Sequence, residues 1–404
     1  VTYGLPDLLA APGVATVFGL LNREGEEGRI VGGAVRDALL GRMPHEVDFA
    51  TTALPDEVVR RAGAARLKSV PTGLAHGTVT VIVEGQPFEI TTLRRDVDTD
   101  GRHAVVAFGR DWQEDAHRRD FTINGMFLDA AGQVHDHVGG TADIAARRVR
   151  FIGDARTRIR EDYLRILRYF RFFAGYSDGL PDPEAWHGAI CERDGLARLS
   201  RERVRHELLR LLTARRAPEA LALMAEAGLA GRLVGGVVRV PHLARLAAIE
   251  QALGTPPDAV LRLGALALFV KEDAVRMRER LRLSTADGIR LERMAGRVPA
   301  LHPHLTEADR VAALYRLGPQ AFHDRVLLAW ARQGAEGDDP SWRELLRDRD
   351  QEVPVFPVAG RDLIAWGVPA GPELGRRLRA LEEAWAASGF PDAGWVRARF
   401  DAGL

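Results

Sequence analysis

A chain of 404 residues that is 46% apolar and 28% charged can bury a sizeable core in two to four domains, which excludes a disordered or fibrous protein. Its 56 basic and 56 acidic residues cancel, so any nucleic-acid partner has to be met by a local basic surface and not by bulk charge. Two basic residues are lysine, Lys68 and Lys271, so 54 are arginine, and the single Cys191 excludes an internal disulfide and a cysteine zinc cluster.

No apolar run approaches the roughly 18 residues needed to cross a bilayer, and the first residues show no basic-then-apolar leader. The expectation is a cytoplasmic protein with no membrane partner. Residues 6–23 place Leu, Val and Phe at helical spacing and predict a covering helix that ends in the charged turn GEEG. From Arg29 to Pro55 a glycine turn, a short helix and a carboxylate-bearing strand follow in one compact unit. Ile30 and Val31 end a buried strand, Gly32-Gly33 permits a tight turn, and a helix runs from Ala34 to Leu40 until Gly41 stops it. Bare amides at the mouth of that helix suit phosphate oxygens, because unpaired N–H groups and the positive end of the dipole coincide there. The returning run Glu46-Val47-Asp48-Phe49-Ala50 alternates, with both carboxylates on one face and Val47 and Phe49 on the core face. Two such acids can hold one or two Mg²⁺ ions, since a hard cation takes oxygen ligands; a solvated edge strand has the same pattern.

Pro55 to Arg66 predicts a helix, and Gly77–Glu84 and Gln86–Arg94 predict two alternating strands about Glu84-Gly85. Glu89 lies in FEITTLRR with Phe88 and Ile90 facing away from it, either joining the two acids across the sheet or standing solvated. Residues 95–110, RDVDTDGRHAVVAFGR, read as a polar surface loop. Gly139-Gly140 introduces a turn, and from Asp143 onward strand signals give way to helices broken by Gly and Pro. Arg158 to Ala174 predicts one amphipathic helix on which Asp162 and Arg165, at i, i+3, project from adjacent turns; an intrahelical ion pair would look the same. Arg171, nine residues beyond Asp162, falls near the opposite face of a straight helix. Ser200 to Leu212 is a second basic helix, whose Arg203 and Glu207 read as structural. His323-Asp324 lacks the further ligands of a metal phosphohydrolase. In residues 356–378, Gly367 and Gly371-Pro372 precede a helix start, either as a phosphate-facing turn or as a plain connection.

GGAVRD followed by LLGR and VDFATTA resembles the signature of the DNA polymerase β-like nucleotidyltransferases, and specifically class II tRNA nucleotidyltransferases and bacterial poly(A) polymerases. Arg118 to Asn124 resembles the family's RRDFTxN motif, EDYLR its EDxxR motif, and GRDL with the following GP a segment of its tail. The resemblance implies an α+β fold: a small nucleotidyltransferase head with a DNA polymerase β-like sheet, then an elongated all-α neck, body and tail. These correspond to residues 1–138, 139–215, 216–300 and 301–404. It implies Mg²⁺ held by Glu46 and Asp48, with Glu89 as a third catalytic carboxylate, and Gly33 and Arg36 at the incoming triphosphate. The family usually carries Asp where Glu46 stands, and the extra methylene moves that carboxylate outward by about one bond length. Arg119 offers a guanidinium fork to triphosphate oxygens, and Asp120 and Asn124 can hydrogen-bond ribose hydroxyls.

Asp162 and Arg165 are implied to select the base, with Arg168 and Arg171 as further nucleotide contacts. The chemistry is direct: cytosine and adenine present an amino donor beside a ring-nitrogen acceptor, while uracil and guanine present a carbonyl and a ring N–H. A carboxylate and a guanidinium therefore fit C and A and repel U and G. Residues 95–110 match a flexible loop the family needs for the last addition. The implied function is template-independent addition of CCA to tRNA 3′ ends from CTP and ATP. The alternatives are a bacterial poly(A) polymerase, an enzyme adding only CC or only A, and, because of Glu46, an inactive RNA-binding protein. PTGLAHGTVTV at Pro71 to Val81 and the GRDL/GP tail favour CCA addition, and the oligomeric state is left open.

Overall fold

Among the described residues, all nine short strands lie between Gly28 and Asp136, interleaved with helices, and only helices follow them, in a computed structural model that describes residues 3–73, 77–99, 104–295, 301–334, 337–347 and 353–403. The strands are β1 Gly28–Val31, β2 Asp48–Thr51, β3 Lys68–Gly73, β4 Thr78–Val83, β5 Gln86–Thr92, β6 Arg94–Thr99, β7 Ala104–Phe108, β8 Met126–Leu128 and β9 Val134–Asp136. Seven of them form one sheet in the order β3-β4-β5-β2-β1-β8-β9. Only β2 and β5 are parallel, with Phe49 beside Ile90; the remaining neighbours are antiparallel.

Alternation sets which way each side chain points. Phe49 is fully buried and meets Phe18 and Phe88 edge-on at 5.1 and 6.0 Å, anchoring the sheet against the helix Val14–Leu21. Its neighbour Asp48 therefore leaves the opposite face. The predicted alternating pair is the β4–β5 hairpin, and the predicted helix after Pro55 runs Pro55–Ala64.

Several elements differ from the sequence reading. The covering helix is two, Leu5–Leu9 and Val14–Leu21, because Pro12-Gly13 interrupts it and Gly13 adopts φ 79°. Strand β2 begins at Asp48, so Glu46 lies in the connection ahead of it. The expected loop at 95–110 contains β6 and β7, paired from Arg94–Phe108 to Thr99–Ala104; ladder hydrogen bonds satisfy the backbone there whatever the side chains' polarity. Residues 100–103 of that stretch, and 74–76 of PTGLAHGTVTV, lie outside the described residues.

The chain divides into two compact units, residues 1–220 and 221–404. In the first, the long predicted helix is broken into Ala155–Glu161 and Leu164–Tyr176. An aromatic cluster binds the second of these to the RRDFTIN turn: Phe121 lies 4.8 Å from Phe151 and 5.1 Å from Phe172, and Phe151 stacks on Tyr169 at 5.9 Å. The helix Arg201–Leu212 packs along Leu164–Tyr176. In the second unit every described regular element is a helix, with Trp330 stacked on Trp342 at 6.1 Å and a separate cluster around Leu363, Leu381, Trp385 and Val396. Asp324 of the HD pair is fully buried and accepts two 2.8 Å hydrogen bonds from Arg290, a structural role. Among the described residues no helix is long and apolar enough to cross a membrane.

Candidate active site

The turn after β1 needs glycine at its first position, since Gly32 sits at φ 70°, where a side chain is strained. The expected bare amide of Gly32 is taken by the Met126 carbonyl at 3.2 Å, so the amides open to an anion begin at Gly33. Arg36, on the first turn of the helix Gly33–Leu39, is only 6% exposed. It donates to Asn124 Oδ1 at 2.7 Å and to Asp37 at 3.0 Å, and lies 4.0 Å over the Tyr176 ring.

Asp48 carries the most informative charge in the site. Burial, then the neighbouring carboxylates of Glu46 and Glu89, push its pKa up to about 6 against a partial opposing pull from Arg119. Glu46 and Asp48 line the cleft; Glu89 is exposed on β5 and falls beside Asp48 in the parallel register. Among the described residues no three His, Cys, Asp or Glu side chains are gathered to hold a metal ion, so what suits a hard divalent cation here is the oxygen chemistry of Glu46 and Asp48, both lining the cleft.

The arginines are fixed by a second set of acids. Asp111 caps the helix Trp112–His117, and the buried Asp115 in it holds Arg118 at 2.6 Å and Arg119 at 2.8 Å. Burial alone would raise the Asp115 carboxyl, but the two guanidiniums bring it below its ordinary value. Asp120 and Asn124, expected to meet ribose hydroxyls, engage protein partners in this structure. Asp120 accepts from Arg168 at 2.7 Å, from Asn124 at 3.2 Å and from the Phe121 amide at 2.9 Å. The pair thus orients Arg36 and Arg168; burial would raise the Asp120 carboxyl, but Arg168 with the Asn124 and Phe121 hydrogen bonds holds it below its ordinary value.

The helix break changes the predicted geometry of Asp162 and Arg165. Asp162 is extended at φ −154°, ψ 107°, between the two helices, so the two residues do not share one straight helix face. At the break the Tyr163 ring lies against Gly195, where a Cβ would come within 1.9 Å of it. Asp162 accepts from the Leu164 amide at 3.1 Å and from Arg203 Nη2 at 2.6 Å. Arg165 pairs with Glu161 and donates to the Arg158 carbonyl at 2.7 Å. Arg171 donates to Glu207 at 2.5 Å and covers the Phe172 ring at 4.3 Å. With the break, Asp162 and Arg171 line the same cleft.

That cleft has a volume of about 1090 Å³ and is bounded by Gly33, Arg36, Glu46, Asp48, Arg119, Asp120, Asn124, Asp162, Arg165, Arg168 and Arg171. Of the predicted site residues, Glu89 is the one that does not line it. Sequence reasoning missed Arg203, Glu207, Asp37 and Tyr176; Arg203 and Glu207 were visible only as an i, i+4 pair on their own helix. Ten arginines and five acids line the cleft, so a chain of zero net charge presents a local basic surface.

A glycine turn opening a helix, Asp48 heading the adjoining strand with Glu46 just ahead of it, and arginines around both define a nucleotidyltransferase head. The family described as Poly A polymerase head domain matches residues 28–150, and the one described as probable RNA and SrmB-binding site of polymerase A matches residues 189–238. CCA tRNA nucleotidyltransferase 1, mitochondrial, of Mus musculus is 36% identical over 394 residues, 95% of this chain and 88% of the relative. The CCA-adding enzyme of Geobacillus stearothermophilus is 34% identical over 373 residues, 89% of each chain. The crystal structure of the Bacillus stearothermophilus CCA-adding enzyme in complex with CTP superposes with a TM-score of 0.75 at 28% identity, over 96% of both chains. The chain belongs to the CCA-adding tRNA nucleotidyltransferase family. Nucleotidyltransferases of this family use a divalent metal ion.

Proposed function

We propose that this chain adds C, C and A to the 3′ end of tRNA from CTP and ATP, with its own side chains choosing each base. The observation that carries the reading is that Asp162 and Arg165 line the same cleft as Asp48, so a base-reading pair and a metal-suited acid face one substrate. Relatives in the same family are named for CCA addition, and one was crystallised with CTP.

Mg²⁺ would be held by Glu46 and Asp48, with Glu89 beside them, and would supply positive charge to the α-phosphate and the primer hydroxyl. The protein's own work is positioning. Gly33 offers its backbone amide and Arg36 a nearly buried guanidinium to the triphosphate, while Arg119 adds a second fork. Asp120 and Asn124 hold Arg168 and Arg36 in place, so less side-chain freedom is lost when the nucleotide arrives. Reading the base requires Asp162 to exchange its Arg203 partner, or share it, with an exocyclic amino group. Uracil or guanine leaves Asp162 facing a carbonyl oxygen, which repels it.

The finer division into head, neck, body and tail at residues 138, 215 and 300, and a cytoplasmic setting for a chain whose one cysteine is free, accompany this proposal. The test uses the full chain, Mg²⁺, tRNA lacking its 3′ CCA and each labelled nucleotide alone and together. CCA addition gives C from CTP and A only after C. Long A tracts indicate a poly(A) polymerase, C or a single A alone a partial enzyme, and retained tRNA binding without incorporation an inactive binder.

A further inference from the structure

The helix Leu164–Tyr176 lies along the cleft and rises about 18 Å over its length. Its first turns follow Asp162 and carry Arg165, the base-reading pair; Arg168 and Arg171 come next, and Gly175 and Tyr176 line the far end. Of the ten arginines lining the cleft, eight are each paired with an acid. The two exceptions are Arg42 and Arg210, and both belong to the far end. Arg42 is exposed, its one polar side-chain partner among the described residues is the Gly175 carbonyl, to which it donates at 3.4 Å, and it leans over the Tyr176 ring at 5.4 Å. Arg210 is exposed, its side chain has no hydrogen-bonding or ion-pair partner among the described residues, and it stands close enough to Arg171 for the two charges to repel.

Arg171 and Gly175 are four residues apart on one helix face, so Arg42 and Arg210 address adjacent turns of the same surface. A position in the last turn of Arg201–Leu212 favours a cation at Arg210 through the helix dipole, but does not require it to face another guanidinium inside a cleft. Two unneutralised guanidiniums facing a shared space, in a site where every other arginine has its carboxylate, fit an anion. Resting on the nucleotidyl-transfer reading above, we propose that Arg42 and Arg210 form a phosphate subsite of their own, separate from the triphosphate cradle at Gly33 and Arg36. It receives either a phosphodiester of the RNA primer or the released pyrophosphate.

The experiment compares the full chain with Arg42→Gln, Arg210→Gln and the double variant, measuring KM for tRNA, KM for CTP and inhibition by inorganic pyrophosphate. A primer phosphodiester predicts that KM for tRNA rises about tenfold in the double variant. Its salt dependence then falls by about 0.7 in log–log slope for each phosphate no longer neutralised. Pyrophosphate predicts that the inhibition constant for pyrophosphate rises about tenfold, with KM for tRNA unchanged. In both cases KM for CTP stays within about twofold, a shift far smaller than removal of one charged hydrogen bond would cause, and Arg42→Lys with Arg210→Lys restores much of the affinity. The proposal is overturned if KM for CTP rises in step, which would assign both arginines to the nucleotide's own cradle, or if none of the three constants moves. Failure of the activity reading looks different, as absence of incorporation by the unsubstituted chain. Filter binding of tRNA and of labelled pyrophosphate by the same variants then decides the subsite, and the single variants serve if the double one melts early.

Discussion

Asp48→Asn removes a charge that the surrounding fold opposes. The Asp48 carboxyl has an ordinary pKa of 3.8 and titrates at about 6 in the folded protein, because it is buried and faces Glu46 and Glu89. At 1.36 kcal/mol per unit, ionised Asp48 destabilises the folded state by about 3 kcal/mol. The sign follows from which state ionises first. Below the unfolded value both states are protonated and nothing is lost; between about 4 and 6 the unfolded chain ionises while the fold resists. Above about 6 the full penalty is in place. In EDTA at pH 7.5, Asp48→Asn should therefore be more stable than the unsubstituted chain, raising the melting temperature of a unit of some 200 residues by about 6–12 °C. The gain should shrink steadily towards zero by about pH 4. Mg²⁺ should stabilise the unsubstituted protein and leave the variant almost unmoved, while incorporation is lost. Differential scanning calorimetry across pH 4–8, with and without metal, reads each part. A variant no more stable than its parent at pH 7.5, or an advantage independent of pH, would refute this account of the acidic pair.

Arg203→Ala takes away the 2.6 Å partner of Asp162, and the ratio of kcat/KM for CTP over UTP should fall about tenfold, with partial recovery in Arg203→Lys. Steady-state kinetics with single nucleotides measures it. Arg290→Ala leaves the fully buried Asp324 without its bidentate partner and should destabilise the second unit by about 3–5 kcal/mol in urea unfolding. Burial raises the Asp324 carboxyl, but Arg290 more than offsets this and holds it below its ordinary value. The stability it contributes is therefore present at neutral pH and lost as pH falls through the carboxylate range, and the gap between parent and variant should narrow there.

What could be read beforehand were the features carried by local pattern. Period-2 alternation separated Phe49 from Asp48, the glycine pair marked the turn, and the change from alternating to helical spacing marked the end of the sheet. The break at Asp162 carried no such mark: RIREDYLRILRYF contains neither Gly nor Pro, and the contact seen at the break, Tyr163 against Gly195, joins residues thirty-two apart in the chain. The link from Arg203 to Asp162 was hidden in the same way, since the two are 41 residues apart in the chain. Strands β8 and β9 are three residues each, too short to show alternation; β8 pairs with Ile30 and Val31 of β1, and β9 pairs in turn with β8. Asp120 and Asn124 line the cleft, but their engagement with Arg168 and Arg36 depends on helices the motif does not contain.

The central claim is that amino-acid side chains choose the nucleotide, and Asp162→Ala tests it most directly. With CTP, ATP, UTP and GTP each offered alone to the full chain on tRNA lacking CCA, the account predicts that UTP and GTP become usable while KM for CTP rises only modestly. A variant that incorporates C and A and still refuses U and G would contradict it.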